Sequence, residues 1–378
     1  MIDNKNKWLT QNFKGMKKLV FLILFMFAGI FYSSGIIGQP GKGRLVSPEV
    51  HPDCTVTFRF RAPAAGLVEL SGEFLRERVP LEKDTSGIWS VTVGPVGPDL
   101  YPYSFVVDGT GVADPNNPHL FPNEGFQRSL VDIPGDPPLI HAMKDVLHGT
   151  VSYRYYRSGS LDLIRPLVIY TPPGYRDDGS TEYPVLYLVH GMTDTEETWF
   201  KVGRVNRILD NLIAEGKAEP MIIVMPYANP FPALLKKNRD TDVNLLRTDH
   251  FTSEMLREII PFMEANYRVL GDPGHRAIAG FSLGGRQCLA AGLGHPEVFG
   301  WVFAFAPAIF DREMEGNFKN LYAVPEVLNA NLKILSVSCG KDDGLIRSAR
   351  ALMNEFEERG IQYDSFITEG GHTWMNCR

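Results

Sequence analysis

The sequence GFSLG at residues 280–284 constrains the fold of this chain more than any other stretch. A short apolar run at residues 276–279 precedes it and predicts a buried strand, and residues 285–291 predict the first turns of a helix. A G-x-S-x-G sequence between a strand and a helix predicts a nucleophile elbow, a turn so tight that side chains at both glycine positions would collide. Such a turn exposes the Ser282 hydroxyl and places the Leu283 N–H at a helix N-terminus, where it can donate to an oxyanion.

Strand patterns and helix patterns alternate over residues 149–378. Continuous apolar runs such as residues 183–189 are typical of strands buried on both faces, and residues 205–215 have apolar side chains at helical spacing. This alternation predicts an α/β fold with a mostly parallel sheet and helices on both faces. Because such sheets place their sites at the carboxyl ends of the strands, we expect four segments at one edge: Ser282, residues 190–191, residues 342–343 and His372.

A serine hydroxyl is a poor nucleophile at neutral pH, so it needs a base, and the base needs a carboxylate that orients it. The chain order in folds with this elbow is serine, then acid, then histidine. Of the two histidines after Ser282, His295 precedes every plausible acid, so His372 is the expected base. The acid is expected directly after a predicted strand, where the residues alone leave Asp342 and Asp343 equally open.

The loop after residues 183–189 is expected to supply a second oxyanion donor besides Leu283, from the backbone N–H of Met192 or Gly191. We assign the side chain of His190 a structural role in holding this loop. The four cysteines lie far apart and form no C-x-x-C pair, so neither a metal site nor a redox motif is predicted. One disulfide is allowed, and its pairing stays open.

Residues 1–39 predict a secretory signal peptide. Basic residues at 14–18 precede an apolar run at 19–32 and small residues at 33–35, which is the order of a cleavable signal. The run is short for a membrane span, so we expect no stable span after cleavage and a periplasmic or secreted protein; an uncleaved anchor is the alternative. The formal net charge of −6 argues against nucleic acid or an anionic membrane as the main partner.

Residues 40–138 predict a small all-β domain in front of the α/β part. Side chains alternate with period two at residues 55–61, and turn residues separate the strand candidates that follow. Short strands and turns of this kind predict a β-sandwich. Residues 132–138 are rich in Pro and Gly and predict a hinge, so we place the boundary near Leu139 and assign residues 139–378 to the second domain.

Both parts resemble known families. Residues 101–109 and 114–117 resemble the early-set immunoglobulin-like domains that precede many carbohydrate-active enzymes, and the ligand of this domain stays open. The second part resembles the feruloyl and acetyl-xylan esterases of carbohydrate esterase family one, which are α/β-hydrolases. That resemblance rests on motifs that occur in order along the chain: YTPPGY at 170–175, LVHG at 188–191, GFSLGG at 280–285, CGKDD at 339–343 and GHTW at 371–374.

The resemblance implies a cofactor-free serine carboxylic-ester hydrolase acting on acylated plant cell-wall polysaccharide. Matching the family's acid motif favours Asp343 over Asp342. Three aromatic residues are expected near a phenolic acyl group, although core packing explains them equally well: Trp199, Phe281 and Trp374. Members usually continue into a closing helix, so whether the chain is truncated at Arg378 stays open.

Feruloyl esters are the substrate that the resemblance implies first. An esterase for acetyl-xylan or other small esters is the nearest alternative. A serine peptidase of the same fold is disfavoured because no propeller-like domain precedes the catalytic part. An inactive glycan-binding module is the alternative of a different class, and the sugar backbone and the oligomeric state are left open.

Overall fold

The computed structural model describes residues 45–229, 250–309 and 317–378. Residues Ser47–Arg378 form one compact unit, which holds two small antiparallel sheets and one eight-stranded sheet. The predicted signal peptide at residues 1–39 lies outside the described residues. Within the three described ranges, no helix combines the length and the apolar character needed to cross a bilayer.

Nine short strands build the two small sheets. They are β1 Glu49–Val50, β2 Val56–Arg61, β3 Val68–Gly72, β4 Val79–Pro80, β5 Glu82–Lys83, β6 Ile88–Val93, β7 Asp99–Val107, β8 Thr110–Val112 and β9 Ser129–Ile133. One sheet has the order β1-β2-β6-β5, and the other has the order β4-β3-β7-β8 with β9 also paired to β7. All these pairs are antiparallel.

The two small sheets share one apolar core, so the predicted β-sandwich is confirmed. Phe58 of β2 and Tyr103 of β7 are fully buried, and their ring centroids lie 4.8 Å apart in an edge-on arrangement. The hinge predicted at residues 132–138 overlaps strand β9, which extends to Ile133, where apolar side chains still enter this core. The domain boundary near Leu139 stays a prediction. The early-set immunoglobulin-like assignment stays a prediction.

Eight strands build the large sheet. They are β10 Thr150–Ser158, β11 Leu163–Thr171, β12 Val185–Val189, β13 Ile222–Pro226, β14 Arg276–Phe281, β15 Trp301–Phe305, β16 Ile334–Gly340 and β17 Asp364–Thr368. Their order is β10-β11-β13-β12-β14-β15-β16-β17. The β10–β11 and β11–β13 pairs are antiparallel, and every later pair is parallel, so the sheet is mostly parallel as predicted.

Six helices accompany this sheet among the described residues. They are α1 Thr198–Lys201, α2 Val205–Ala214, α3, which runs as His250–Glu254, a π-helical turn Met255–Ile259 and Ile260–Asn266, α4 Leu283–Gly294, α5 Pro325–Asn331 and α6 Ile346–Glu358. Short 3₁₀ turns lie at Pro273–His275, Asn317–Tyr322 and Trp374–Cys377. Helix α4 begins directly after Ser282, two residues earlier than the sequence indicated.

Apolar side chains cover both faces of the large sheet. Leu167 and Ile169 of β11 belong to the cluster on one face, whereas Val168 and Tyr170 belong to the cluster on the other, as the two-residue period of a strand requires. The second cluster also contains Leu100, Phe121 and Leu130 from the β-sandwich. The sandwich therefore packs against the large sheet through a shared core, which brings residues 121–130 close to the loops of the α/β part.

Candidate active site

Ser282 lies in the turn between β14 and α4, with φ 58° and ψ −115°. A residue other than glycine at this positive φ costs on the order of 1–3 kcal/mol and persists only where its surroundings hold it. Here its N–H donates to the carbonyl of Phe305 at 2.8 Å, and its own carbonyl accepts the N–H groups of Ala308 at 3.0 Å and Arg286 at 3.1 Å. These bonds keep the strained turn in place and aim the hydroxyl out of the sheet edge.

The two glycines of the elbow are required because neighbouring backbone atoms lie too close to leave room for a side chain. A Cβ on Gly280 would stand 2.5 Å from the carbonyl group of Gly284, and a Cβ on Gly284 would stand 2.5 Å from the carbonyl oxygens of Val189 and His190. Such distances are far below van der Waals contact, so any side chain would push β14, α4 and β12 apart. The predicted collision at both positions is confirmed.

Ser282, His372 and Asp343 form a continuous hydrogen-bond chain. The Ser282 Oγ lies 3.0 Å from Nε2 of His372, and Nδ1 of His372 lies 2.7 Å from Oδ2 of Asp343. The three residues follow three different strands, β14, β17 and β16, whose carboxyl ends meet at one edge. This arrangement can deprotonate the hydroxyl and stabilise the resulting imidazolium.

The two adjacent aspartates occupy different environments. The side chain of Asp343 is 1% exposed, and its second oxygen, Oδ1, accepts the N–H of Leu345 at 2.8 Å. Asp342 is exposed, and its N–H donates to the carbonyl of Gly370 at 2.9 Å. The structure thus places Asp343, not Asp342, beside His372, which is the aspartate that the resemblance favoured.

Residues 190–194, here called the oxyanion loop, follow β12 and lie against the elbow. A Cβ on Gly191 would be 3.5 Å from Cβ of Ser282. The carbonyl of Gly191 accepts Nδ1–H of His190 at 2.8 Å and the N–H of Asp194 at 3.3 Å, on the side of the loop away from solvent. Since a trans peptide is planar, the N–H of Met192 points opposite to that carbonyl.

The N–H of Gly191 has a different partner. It faces the carboxylate of Asp194, whose Oδ2 lies 3.2 Å from where a Cβ on Gly191 would stand. Of the two predicted candidates in this loop, Met192 is therefore the one whose N–H is oriented for an oxyanion. The same reasoning applies to Leu283, because the carbonyl of Ser282 in its peptide group is held by Arg286 and Ala308.

His190 is buried and holds the oxyanion loop. Its Nδ1–H donates to Gly191, and its Nε2 accepts the N–H of Ala228 at 2.9 Å. Burial lowers the pKa of this imidazole to about 4, which keeps it neutral. These bonds match the structural role predicted for this residue.

The protein-family comparison adds an independent finding. The model of the family described as "Putative esterase" matches residues 158–376, more than half of the chain. The chain belongs to this esterase family. The matched residues include strands β11 to β17 and only the last residue of β10, together with Ser282, Asp343 and His372.

Two curated relatives of this chain are named as xylanases, and one of them also as a feruloyl esterase. A protein of Xylanibacter ruminicola named endo-1,4-β-xylanase/feruloyl esterase is 30% identical over 354 residues, which cover 90% of this chain and 46% of that protein. An endo-1,4-β-xylanase Y of Acetivibrio thermocellus is 30% identical over 132 residues, which cover 32% of this chain and 11% of that protein. The chain spans less than half the length of these two relatives.

Solved structures similar to this chain include a ferulic acid esterase with a TM-score of 0.52 and 27% identity, covering 61% of this chain and 94% of that one. The enterobactin esterase of Shigella flexneri has a TM-score of 0.62 at 19% identity, and the match covers 84% of this chain and 88% of that one. The second likeness shows the fold alone. Both confirm the α/β-hydrolase architecture.

The three aromatic residues predicted to bind substrate lie behind the hydrogen-bond chain. Phe281, Trp199 and Trp374 are only 4–6% exposed. The Phe281 ring stacks on His372 with centroids 4.5 Å apart, and Trp374 packs edge-on against Trp199 at 4.7 Å. Because so little ring surface is accessible, the structure favours the packing alternative, in which these rings support the imidazole instead of contacting an acyl group.

Sequence reasoning missed two polar residues at the site. Asp194 is buried beneath the oxyanion loop, and Asn123 of the segment between β8 and β9 donates its amide N–H to Asp194 at 2.8 Å. Burial raises the pKa of the Asp194 carboxyl to about 7, against which the hydrogen bonds from Asn123 and Gly191 act. The position of Asp194 close after LVHG was an available signal, whereas nothing near Asn123 in the sequence indicates this contact.

The described residues offer no evident metal ligands at this site. Among residues 45–229, 250–309 and 317–378, no group of three or more His, Cys, Asp or Glu side chains is placed to hold an ion. The four cysteines Cys54, Cys288, Cys339 and Cys377 are all unpaired.

Proposed function

We propose that this protein is a serine carboxylic-ester hydrolase that works through an acyl-enzyme. The observation that supports it is the hydrogen-bond chain from Ser282 through His372 to the buried Asp343, set on a strained elbow beside two oriented N–H groups. Neither an elbow sequence nor a lone histidine would carry the proposal. Their convergence from three strands is what a hydrolase with this order of residues requires.

In the proposed reaction, Ser282 Oγ attacks the ester carbonyl carbon while Nε2 of His372 accepts the hydroxyl proton. The N–H groups of Leu283 and Met192 donate to the tetrahedral oxyanion, and Asp343 stabilises the imidazolium. His372 then protonates the leaving alcohol, which yields the acyl-enzyme. A water molecule gives a proton to His372 and attacks the acyl carbonyl. His372 then returns that proton to Ser282 Oγ as the acyl–oxygen bond breaks, which releases the acid and restores the hydroxyl.

The proposed substrates are feruloyl esters of plant cell-wall polysaccharide. Support comes from the printed names of a relative that covers most of this chain and of a solved structure, which are a xylanase/feruloyl esterase and a ferulic acid esterase. A preceding β-sandwich agrees with a polysaccharide substrate. We also propose that residues 40–138 and 139–378 are separate domains.

We expect purified protein to release ferulate from methyl ferulate faster than it releases acetate from acetylated xylan. The reason is the resemblance of its site motifs to feruloyl esterases. The assay measures both acids by chromatography, with a peptide panel in parallel. Acetate release without ferulate release would indicate that acetyl esters are the substrates. Cleavage of neither ester would contradict the proposed hydrolase activity.

Export is proposed from residues 14–35, which have the order of a signal peptide. Mass spectrometry of the native protein should find a new N-terminus close to residue 39. An intact Met1 on the mature protein would contradict export through a cleaved signal.

A further inference from the structure

A short segment of the β-sandwich part, residues 122–124, is hydrogen-bonded to the loops around the site. We call it the clamp segment. Its members are Pro122, whose carbonyl accepts Thr198 Oγ1–H at 3.0 Å, Asn123, whose Nδ2–H donates to Asp194 Oδ1 at 2.8 Å, and Glu124, whose N–H donates to the Thr193 carbonyl at 2.7 Å. The Glu124 carboxylate also accepts the hydroxyl of Tyr227 at 2.7 Å. The clamp segment therefore binds the oxyanion loop from outside the α/β part.

Asn123 has a defined amide orientation. Its Oδ1 accepts the N–H groups of Gly125 at 2.7 Å and Phe126 at 3.2 Å. The Nδ2 group must then face Asp194, so Asn123 acts there as a donor only. A carboxylate that is 5% exposed is costly without such donors.

Asp194 connects this donor to the oxyanion loop. Its Oδ1 accepts from Asn123, its Oδ2 lies 3.2 Å from where a Cβ of Gly191 would stand, and the N–H of Gly191 faces the same carboxylate. The N–H of Asp194 in turn donates to the Gly191 carbonyl. Both peptide groups that flank Gly191 are held in this way, and one of them carries the N–H of Met192.

We infer that Asn123 is a positioning residue for oxyanion stabilisation, acting through Asp194 on the peptide group that carries the Met192 N–H. The β-sandwich part thereby contributes to the chemical step without touching the substrate. This inference rests on the proposed function. The bound ester carries no oxyanion, and the charge develops only as the tetrahedral intermediate forms, so a misdirected donor lowers kcat and leaves KM nearly unchanged.

A reciprocal exchange of the two side chains tests this inference in the full-length chain. Asn123→Asp replaces the donor by a carboxylate, so that two carboxylates face each other. Asp194→Asn replaces the acceptor by an amide, so that two amides face each other. The double variant N123D/D194N restores a donor–acceptor pair with the direction reversed. The amide oxygen introduced at position 194 can still accept from Gly191, and the carboxylate introduced at position 123 can still accept from Gly125 and Phe126.

The assays use methyl ferulate at pH 8, above the pKa of about 7 to which burial raises the Asp194 carboxyl. We expect each single variant to lower kcat about tenfold or more, short of the 10²–10³ that follows loss of a whole donor. KM should stay within about twofold of the wild type. The double variant should recover kcat to within about threefold of the wild type. Gln127→Ala, an exposed neighbour outside these hydrogen bonds, is the matched control and should leave both constants unchanged.

The outcomes separate this inference from the proposed function. Wild-type kcat in both single variants, with an active wild type and an inactive Ser282→Ala, overturns the role of Asn123 alone. So does a double variant that is folded by circular dichroism yet no faster than the singles, because the pairing would then be irrelevant. A wild type that cleaves no ester overturns the proposed function and this inference with it.

Discussion

Replacement of Ser282 by alanine is expected to lower ester hydrolysis by about 10⁴-fold or more, because the variant loses the attacking oxygen. The free-energy cost of the positive φ of 58° should stay the same, since alanine has a Cβ as serine does. The only described side-chain contact that disappears is the one to His372. Initial rates with methyl ferulate measure the effect, and thermal unfolding should show a fold as stable as the wild type.

Ser152→Ala is a suitable control for this variant. Ser152 is a half-buried serine of strand β10, and its hydroxyl donates to the carbonyl of Ile169 at 3.4 Å, away from the hydrogen-bond chain. It should hydrolyse esters like the wild type. A fluorophosphonate probe should label the wild type and Ser152→Ala at Ser282, but not Ser282→Ala. Substantial activity in Ser282→Ala would refute the assignment of the nucleophile, and a wild type with neither label nor activity would favour a binding module.

The second large effect is expected for Asp343→Asn, which should lower kcat by about 10³–10⁴-fold. The N–H of Leu345 holds Oδ1 of Asp343, so the new amide would keep its oxygen there and turn its NH₂ group toward Nδ1 of His372. That imidazole nitrogen would then have to accept, and the ring proton would move to Nε2. A ring protonated at Nε2 cannot take the proton of Ser282.

Asp342→Asn provides a matched control, because it makes the same change one residue earlier. The side chain of Asp342 is exposed, and its backbone bond to Gly370 survives the substitution. We expect kcat within about twofold of the wild type, as is usual for exposed positions. Measuring kcat and KM of both variants in parallel shows which aspartate acts on His372. Equal losses in both, or a greater loss in Asp342→Asn, would contradict the role of Asp343.

The three aromatic residues show that a sequence pattern can predict nearness to the site but not burial. Trp199, Phe281 and Trp374 lie close to the expected site along the chain, which is why contact with an acyl group was a reasonable prediction. Their accessibility depends on what packs against them, and each is covered by partners far away in sequence, such as Phe305 against Trp199. Proximity to a motif does not determine burial, so only the folded structure could distinguish the two interpretations.

The sequence alone determined the elbow, the α/β class and the order of serine, acid and histidine, because these follow from local chemistry. Glycine is needed at positions 280 and 284 because a side chain there would collide within the turn. Hydrophobic periodicity follows from which face of each element is buried. The choice of Asp343 over Asp342, the direction of the Met192 N–H and the contact of Asn123 with Asp194 were decided only by the tertiary structure. Each depends on groups brought together from distant parts of the chain, and such contacts leave no repeating pattern in the residues that make them.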